Sequence, residues 1–303
     1  MNNLPSLEEL DAFVRVAETG AFNAAAREMN LSPSAVSKIV TRLERRLGIK
    51  LLSRTTRSVG LTADGERIRA GALKLLAEAK AFEDEAAPLS ATPSGAVRVS
   101  VASGFGRAML APRLSAFHRA YPDVFVDLSL NDRAVDLPSE GIDVAVRSGD
   151  LGDDASLIAR QIADVHRVLC AAPSYLRARG RPESIDDLEN HVCINFRSPR
   201  TGRDFAWEFL VAGVQIRRTF RSAASSGDGG AVAAAAVGGL GISQMPAFLA
   251  EDHLRSGALI ELLPETRPPP TRYSAIYLDR RHLAPRIRAL LDFLGRAFDE
   301  HRF

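Results

Sequence analysis

The residues best suited to chemistry lie between positions 31 and 62, where basic side chains are concentrated. Seven lysines and arginines stand there against one acid, Glu44, although the whole chain has a net charge of only +2. A local excess of this kind is typical of a module that binds a polyanion, because each cation can neutralise one phosphate. The 211 residues from position 93 onward carry 26 arginines against 25 acids, so we expect the polyanion to meet the basic segment alone.

Part of this segment predicts a helix with two chemically different faces. Ser32 is a suitable N-cap, Pro33 suits the first helical position, and Gly48 ends the pattern. Apolar side chains recur on one face, opposite small hydroxyls that permit close approach and cations that reach phosphates or guanine edges. The candidate DNA-binding residues on this helix are Ser34, Ser37, Lys38, Thr41 and Arg42. Arg45 and Arg46 fit equally well as solvated surface residues.

The segment LLSRTTRSVGLT, which follows this helix, predicts two short strands around a basic turn. Arg54, Thr55 and Arg57 belong to this turn, and a basic wing of this kind suits the minor groove or the phosphate backbone. An amphipathic helix by itself usually has only a solvated polar face. A basic helix followed by a basic wing makes DNA binding the favoured interpretation.

Two earlier helices must support the candidate DNA-binding helix. The first begins with a capping box of Ser6 and Glu9 and ends at Gly20. The second is predicted to begin with Asn23 as its N-cap and to end at Asn30. The predicted head is therefore helix, helix, turn, helix and hairpin.

Thr62 is the predicted N-cap of a further helix. Apolar residues around it and beyond it repeat at spacings of four and three, as in a coiled-coil seam. The seam residues are Leu61, Gly65, Ile68, Ala72, Leu75, Ala79 and Phe82. They predict a helix over residues 63–86 that pairs with a second copy of itself, so a homodimer is expected. A long helix packed within its own domain is the alternative. Residues 87–95, rich in Pro, Ser and Gly, predict a hinge.

From residue 96 onward, strands and helices alternate, which indicates an α/β fold with enough material for two lobes. Two segments, SGFG at 103–106 and SSGDGG at 225–230, follow predicted strands and open helices. Backbone N–H groups at such helix ends favour an anionic ligand, with Ser103 and Ser226 as donors. Both serines fit equally well as simple helix caps, and Asp228 as an acid that stabilises the first turn.

Other chemistries lack the residues that they need. Cys170 and Cys193 form no CxxC or Cys/His cluster, the six histidines show no metal spacing, and no GxSxG motif is present. We therefore predict no catalytic residue, no metal and no cofactor.

A membrane location is also disfavoured. The longest uncharged apolar stretch has 14 residues (229–242), too few to cross a bilayer, and the acidic N-terminus is unlike a signal peptide. A cytoplasmic location without membrane contact is expected.

A rival interpretation is an architectural DNA-binding protein that takes no ligand. Bending DNA requires no cleft, so an α/β portion of roughly 200 residues argues against this alternative.

The chain is similar to a known family over nearly its whole length. The segment TGAFNAAAREMNLSPSAVSKIVTRLERRLGIKLLSRTTRSVGLTADGE, with its LE-x-x-LG and L-T-x-x-G motifs, resembles the winged helix-turn-helix head of LysR-type transcriptional regulators. The segments VASGFGRAMLAPRLSAFHRAYPDV, EGIDVAVRSGD and VLCAAPSYL resemble the effector-binding domain of the same family. The resemblance implies a winged helix-turn-helix head with a long linker helix and a two-lobed, periplasmic-binding-protein-like effector domain.

The resemblance also implies domain boundaries and partners. The implied segments are the head (1–62), the dimerisation helix (63–86), the hinge (87–95) and the effector domain (96–303), in which subdomain I is 96–161 with 265–303 and subdomain II is 162–264. The implied partners are double-stranded DNA with an interrupted palindrome, a small-molecule effector, further copies of the chain arranged as a dimer of dimers, and RNA polymerase as a candidate.

Family position implies the walls of the effector site. The implied residues, besides Ser103 and Ser226, are Phe105, Asn131, Arg147, Asn195, Phe196 and Met245; the two phenylalanines fit equally well as core residues. One departure concerns DNA: Lys38 stands where the family often has Arg. Because lysine lacks the bidentate fork of arginine, phosphate binding is favoured over guanine reading at Lys38.

Overall fold

The computed structural model describes residues 4–54, 59–86, 92–149, 156–199, 201–278 and 283–299. The chain divides into two compact units. The first comprises Met1–Ala91 with the short stretches Asp136–Ile142 and His282–Ala284, and the second comprises Thr92–Val135, Asp143–Arg281 and Pro285–Phe303.

The first unit begins with three helices and a hairpin. Its elements up to residue 86 are α1 (Leu7–Thr19), α2 (Phe22–Glu28), α3 (Pro33–Leu47), β1 (Leu52–Arg54), β2 (Val59–Leu61) and α4 (Ala63–Ala86). The strands β1 and β2 pair antiparallel, so the predicted hairpin is present. The helices enclose an apolar core that includes Phe13, Val40 and Leu43.

Most of the predicted helix ends are confirmed. Ser6 and Glu9 make both hydrogen bonds of the capping box, and Ser32 accepts a hydrogen bond from the N–H of Ala35. Gly20 and Gly48 end α1 and α3 with φ angles of 66° and 72°, a left-handed conformation that glycine adopts without strain. Thr62 Oγ1 accepts a hydrogen bond from the N–H of Gly65 at the start of α4.

The predicted start of α2 at Asn23 is wrong. The helix begins at Phe22, and its N-cap, Ala21, makes no side-chain hydrogen bond. Phe22 packs against the core of the head. Burial of this ring, rather than a local cap, accounts for the start of the helix.

Glu44 joins α3 to the hairpin. Its side chain is 6% exposed and accepts hydrogen bonds from the N–H groups of Leu51 (3.0 Å) and Leu52 (3.2 Å) and from Lys50 Nζ (2.6 Å). Burial alone would raise the pKa of Glu44, but these hydrogen bonds outweigh it and hold the pKa below 4.5. The carboxylate therefore fixes where β1 begins relative to α3.

Helix α4 uses its two halves differently. Ala72 and Leu73 are buried in the core of the head, and Ile68 packs against that core. Farther along, Leu75 is 56% exposed and Phe82 is 73% exposed. The first half of the predicted seam is thus an internal contact, whereas the second half leaves large apolar side chains in solvent.

Beyond α4, strands and helices alternate as predicted. In chain order they are β3 (Gly95–Val101), α5 (Ser103–Phe105), α6 (Leu114–Ala120), β4 (Val124–Leu130), α7 (Leu137–Glu140), β5 (Val144–Ser148), β6 (Leu157–Val165), β7 (Arg167–Ala171), α8 (Pro173–Arg179), β8 (Cys193–Phe196), β9 (Trp207–Val211), β10 (Val214–Arg218), β11 (Ser222–Ser226), α9 (Gly229–Val237), β12 (Ile242–Pro246), α10 (Ala247–Arg255), β13 (Ile260–Leu262), β14 (Thr271–Leu278) and α11 (Pro285–Asp299). A π-helical turn, Gly106–Leu110, and a 3-10 turn, Ala111–Arg113, connect α5 to α6.

The second unit contains two mixed five-stranded sheets. Their strand orders are β4-β3-β5-β14-β6 and β11-β8-β12-β7-β13, and β9 pairs with β10 in a separate hairpin. We call the half that contains the first sheet lobe I and the half that contains the second sheet lobe II. This α/β architecture confirms the predicted fold class.

The chain crosses between the lobes twice. Strand β6 pairs in lobe I as far as Val165, and β7 begins in lobe II at Arg167, so the first crossover is at His166, a few residues beyond the implied boundary at 162. The return lies between Leu262 and Thr271. Strand β6 lies at the edge of its sheet, and most of its first five side chains are exposed, so its sequence has little of the apolar pattern of a strand.

In the part of the chain that the structure describes, no helix is both long enough and apolar enough to span a bilayer.

We predict that Glu44→Gln destabilises the first unit by about 1.5 to 3 kcal/mol at neutral pH, because a buried charge-assisted acceptor is lost. The pKa of Glu44 is lowered by folding, so its contribution is present above about pH 4.5 and is lost as the pH falls through the folded pKa. The difference between wild type and variant should therefore shrink in acid. Denaturant unfolding at several pH values measures it, with the exposed Glu18→Gln as control. An equal difference at pH 7 and pH 3 would contradict the role of the carboxylate.

Candidate nucleic-acid interface and ligand cleft

Helix α3 presents the predicted polar face to solvent. Ser34 and Lys38 are exposed, while Ser37 and Thr41 are half-buried. Thr41 Oγ1 donates to the carbonyl of Ser37 at 2.7 Å, so this hydroxyl is bonded back to its own helix. Small hydroxyls and the exposed cations Lys38 and Arg42 therefore line the surface that a DNA groove would approach.

Arg42 has an internal partner that the sequence pattern did not reveal. Its Nε donates to Glu9 Oε1 at 2.7 Å, and the Glu9 side chain is 1% exposed. Arg46 also reaches this carboxylate and donates to the carbonyl of Leu4 at 2.7 Å. Burial by itself raises the pKa of Glu9, but the hydrogen bonds from Ser6 and Arg42 and the charge of Arg46 lower it overall.

Glu9 therefore ties α1 to α3. The capping box signalled that Glu9 bonds to Ser6, but a partner 33 residues away leaves no mark on local spacing. Arg46 is part of this contact and is less solvated than the sequence suggested.

The basic turn of the wing is only partly within the described ranges. Arg54 is the last residue of β1, and its backbone pairs with Val59. Thr55 and Arg57, together with the side chain of Arg54, lie outside the described residues.

In each lobe, the ends of several strands share one edge of the sheet. In lobe I, β3 runs parallel to both β4 and β5, so their carboxyl ends share one edge. In lobe II, β8 runs parallel to β11 and β12, and β7 begins at the same edge because it is antiparallel to β12. Open α/β sheets bind ligands at such edges.

Arg147 organises the edge of lobe I. Its guanidinium donates to the carbonyl of Ser100 (3.0 Å), to Ser100 Oγ (2.7 Å) and to Asn131 Oδ1 (3.1 Å). Asn131 in turn donates to Ser100 Oγ at 3.1 Å. Two predicted site residues, Asn131 and Arg147, are thus held together at the ends of β4 and β5, the two strands that flank β3. The N–H of Ser103 donates to Asp132 beside them.

Phe105 lies in the apolar core instead of forming an open wall. It is 1% exposed and stacks on Tyr273 with ring centroids 4.7 Å apart. Phe298 and Phe248 complete the aromatic cluster. Burial raises the pKa of Tyr273, whose hydroxyl is hydrogen-bonded to Ser148 at the end of β5. Sequence reasoning missed Tyr273, although its position at the start of a returning strand could have marked it.

The predicted residues of lobe II have different surroundings. Asn195 is 4% exposed and its Nδ2 donates to the carbonyl of Phe220 at 3.3 Å. Phe196 is half-buried against Phe205, with ring centroids 5.7 Å apart. Met245 is buried in the core between the sheet and its helices.

Carboxylates of the chain occupy the helix ends predicted to hold an anion. Asp228 is the N-cap of α9 and accepts from the N–H of Ala231 at 2.8 Å. The hydroxyl of Ser226 accepts from the N–H of Asp228 at 3.1 Å. The pKa of Asp228 is lowered by the hydrogen bond from Ala231 and by the guanidinium of Arg107. Asp132 similarly accepts from the N–H of Ser103, so these donors are already satisfied.

The two cysteines lie on opposite faces of the sheet in lobe II. Cys170 belongs to the core that packs on α9 and α10, and Cys193 belongs to the core that packs on β9. Burial raises the pKa of each thiol to about 12. Neither thiol is activated, and no group of His, Cys, Asp or Glu in the described ranges is arranged to hold a metal ion.

Two protein-family models match the chain. The model described as "Bacterial regulatory helix-turn-helix protein, lysR family" matches residues 7–66, and "LysR substrate binding domain" matches residues 90–299. The chain is 34% identical to the HTH-type transcriptional regulator DmlR of Escherichia coli (strain K12), over 99% of this chain and 97% of that protein. It is 35% identical to the HTH-type transcriptional regulator CrgA of Neisseria meningitidis serogroup C (strain 8013), over 95% of each.

Solved structures show the same relationship. CrgA from Neisseria meningitidis, a LysR-type transcriptional regulator, superposes with a TM-score of 0.62 and 33% identity, covering 95% of this chain and 97% of that one. The full-length Vibrio cholerae virulence activator AphB gives a TM-score of 0.64 and 27% identity, covering 95% and 98%. Similarity of this extent in both parts of the chain shows that the protein belongs to the LysR family: it is a DNA-binding transcriptional regulator with an effector-binding domain, and not an enzyme.

Proposed function

We propose that this protein binds an interrupted palindromic operator through α3 and the wing, and that an anionic small molecule bound between lobes I and II modulates its activity. The hydroxyls and Lys38 on the outer face of α3 carry the first part of the proposal, because the opposite, apolar face of the helix is buried in the core of the head. The DNA-binding residues are Ser34, Ser37, Lys38 and Thr41, with Arg54, Thr55 and Arg57 on the wing. Arg42 serves both DNA and the ion pair with Glu9.

The proposed effector site rests on polar groups at one sheet edge of each lobe. Within the described ranges, Asn195 Oδ1 and His166 Nδ1 are buried and have no hydrogen-bond partner. Such atoms call for a water molecule or a ligand. Arg147 and Arg167 supply positive charge at the ends of β5 and β7. Asp132 and Asp228 already accept hydrogen bonds from backbone N–H groups at the two helix ends. We therefore propose that the anion binds at these arginines rather than at the helix ends.

The remaining site residues take supporting roles in this proposal. Ser103 and Ser226 border the ligand, Asn131 orients Arg147, and Phe196 forms an apolar wall. Phe105 and Met245 support the walls from the core. The competing function is that of an architectural DNA-binding protein without a ligand, which would bend DNA and respond to no small molecule.

We further propose that the chain assembles as a dimer of dimers. The exposed Leu75 and Phe82 on the second half of α4 suit pairing with a second copy. Lobe I offers another surface, because β4 is an edge strand with Phe125 68% exposed beside a groove of about 310 Å³ against α6. A cytoplasmic location and contact with RNA polymerase rest on the family alone.

We predict that Lys38→Ala and Arg42→Ala weaken operator binding but differ in their effect on folding. Lys38→Ala should reduce the slope of log K against log salt by about one unit if it contacts phosphate, with unchanged unfolding. Arg42→Ala should also destabilise the head by about 1 kcal/mol, because Glu9 loses a partner that is itself half-exposed. Operator affinity is measured by fluorescence anisotropy with a selected genomic fragment, and the free energy of unfolding is measured by denaturant titration. Lys74→Ala, on α4, is the control; unchanged DNA affinity for Lys38→Ala would refute the proposed face.

We predict that the double variant Leu75→Asp and Phe82→Asp weakens self-association, because it places charges in the exposed half of the seam. Sedimentation equilibrium of the full chain measures the mass. Ala70→Asp introduces the same group at an exposed position off the seam and should leave the mass unchanged. An unchanged mass for the double variant would show that this half of α4 is not the dimer contact.

We predict that Ser103→Ala weakens the response to the effector, which Ser103 borders, and leaves operator affinity without ligand unchanged, since an effector acts only through its differential contacts. Thermal-shift screening of the full chain against small carboxylates and phosphates, followed by calorimetry, would identify the compound. Ser115→Ala, exposed on α6, is the control. A full ligand response in Ser103→Ala would show that this serine only contributes to the helix end, and a screen without any binding compound would favour the architectural alternative.

A further inference from the structure

The two lobes touch through the segment that follows β3. A Cβ atom at Gly104 would lie 3.5 Å from Leu249 Cδ2, and Phe105 meets Phe248 edge to face with ring centroids 5.8 Å apart. Gly104 and Phe105 belong to lobe I, whereas Phe248 and Leu249 belong to α10 of lobe II. The contact is therefore an apolar seat between the lobes.

The seat depends on a second close approach within lobe II. A Cβ atom at Gly229, the first residue of α9, would lie only 2.8 Å from Leu249 Cδ1. Glycine at this position lets the start of α9 come close to Leu249, and hence to the segment 103–107. The start of α9 is thus held next to lobe I.

One ion pair spans the lobes at this place. An Nη atom of Arg107, in the π-helical turn of lobe I, donates to Asp228 Oδ2, at the start of α9 in lobe II. The two side chains are 57% and 40% exposed, so the pair is accessible to water. It is also accessible to a competing ligand.

Asp228 divides its two oxygens between different tasks. Oδ1 caps α9 through the N–H of Ala231, and Oδ2 receives Arg107. Ser226, a proposed effector residue, lies two positions earlier and bonds to the N–H of Asp228. A ligand that moves Ser226 therefore also moves the carboxylate that holds Arg107.

We propose that the Arg107–Asp228 ion pair is a latch that holds lobes I and II in this arrangement in the absence of effector. The apolar seat aligns the lobes, and the latch adds a contact that a ligand can make or break. An exposed ion pair is worth little by itself, so the latch shifts the equilibrium between two arrangements by about two- to fivefold and does not lock one of them. Its role in regulation rests on the proposed effector function.

The test separates the latch from the cap of α9. Asp228→Asn keeps an oxygen that can cap the helix and loses the charge. Arg107→Gln removes the same pair from the other side. For each variant, amide hydrogen exchange of the full chain is measured in the lobe that does not carry the substitution. For Asp228→Asn the exchange rates of residues 103–110 are followed, and for Arg107→Gln those of residues 229–237.

We expect each single variant to speed exchange in the opposite lobe by about two- to fivefold. The double variant should be no faster than the faster single variant, because both remove one interaction. Arg217→Gln breaks the Arg217–Glu208 pair within lobe II and should leave residues 103–110 unchanged. Unchanged exchange across the lobes, or multiplied effects in the double variant, would overturn the proposal. Because no ligand is used, failure of the effector screen would leave this result intact.

Discussion

The head depends on two buried carboxylates that hold α3 in place. Glu9 ties the middle of α3 to the start of α1, and Glu44 ties its last turn to the first strand of the wing. A buried carboxylate is costly unless its oxygens are fully engaged, and both of these accept several donors. Because such bonds are directional, they set the angle of the helix and of the hairpin, which apolar packing alone would leave less defined. Ser34 and Lys38 are exposed to solvent as a consequence.

Local signals in the sequence predicted the parts of the fold that local physics decides. Ser6, Ser32, Gly20 and Gly48 mark helix ends through hydrogen bonds or backbone conformations within a few residues, and these ends are confirmed. The start of α2 was missed because burial of Phe22 prevails over a nearby capping residue.

The site was harder to predict from the sequence, because its key contacts join residues that are distant in sequence. The pairs Arg42–Glu9 and Arg107–Asp228 join residues 33 and 121 positions apart, and no pattern in the surrounding sequence predicts them. The sequence offered Asp228 either beside a ligand or as an acid of the first turn, and the structure has it as the N-cap of α9. Asp132, which accepts from the N–H of Ser103, was not anticipated. The strand ends themselves were placed well, so Asn131 and Arg147 meet as the topology requires.

The central claim is that two copies of the head, each through its α3 and its wing, bind DNA together. Selection of genomic fragments by the full chain, followed by hydroxyl-radical footprinting of a selected fragment, tests it most directly. The account predicts two protected half-sites related by a dyad and separated by a whole number of helical turns, about 10 base pairs each. Protection without sequence preference, or a single unpaired half-site, would contradict it.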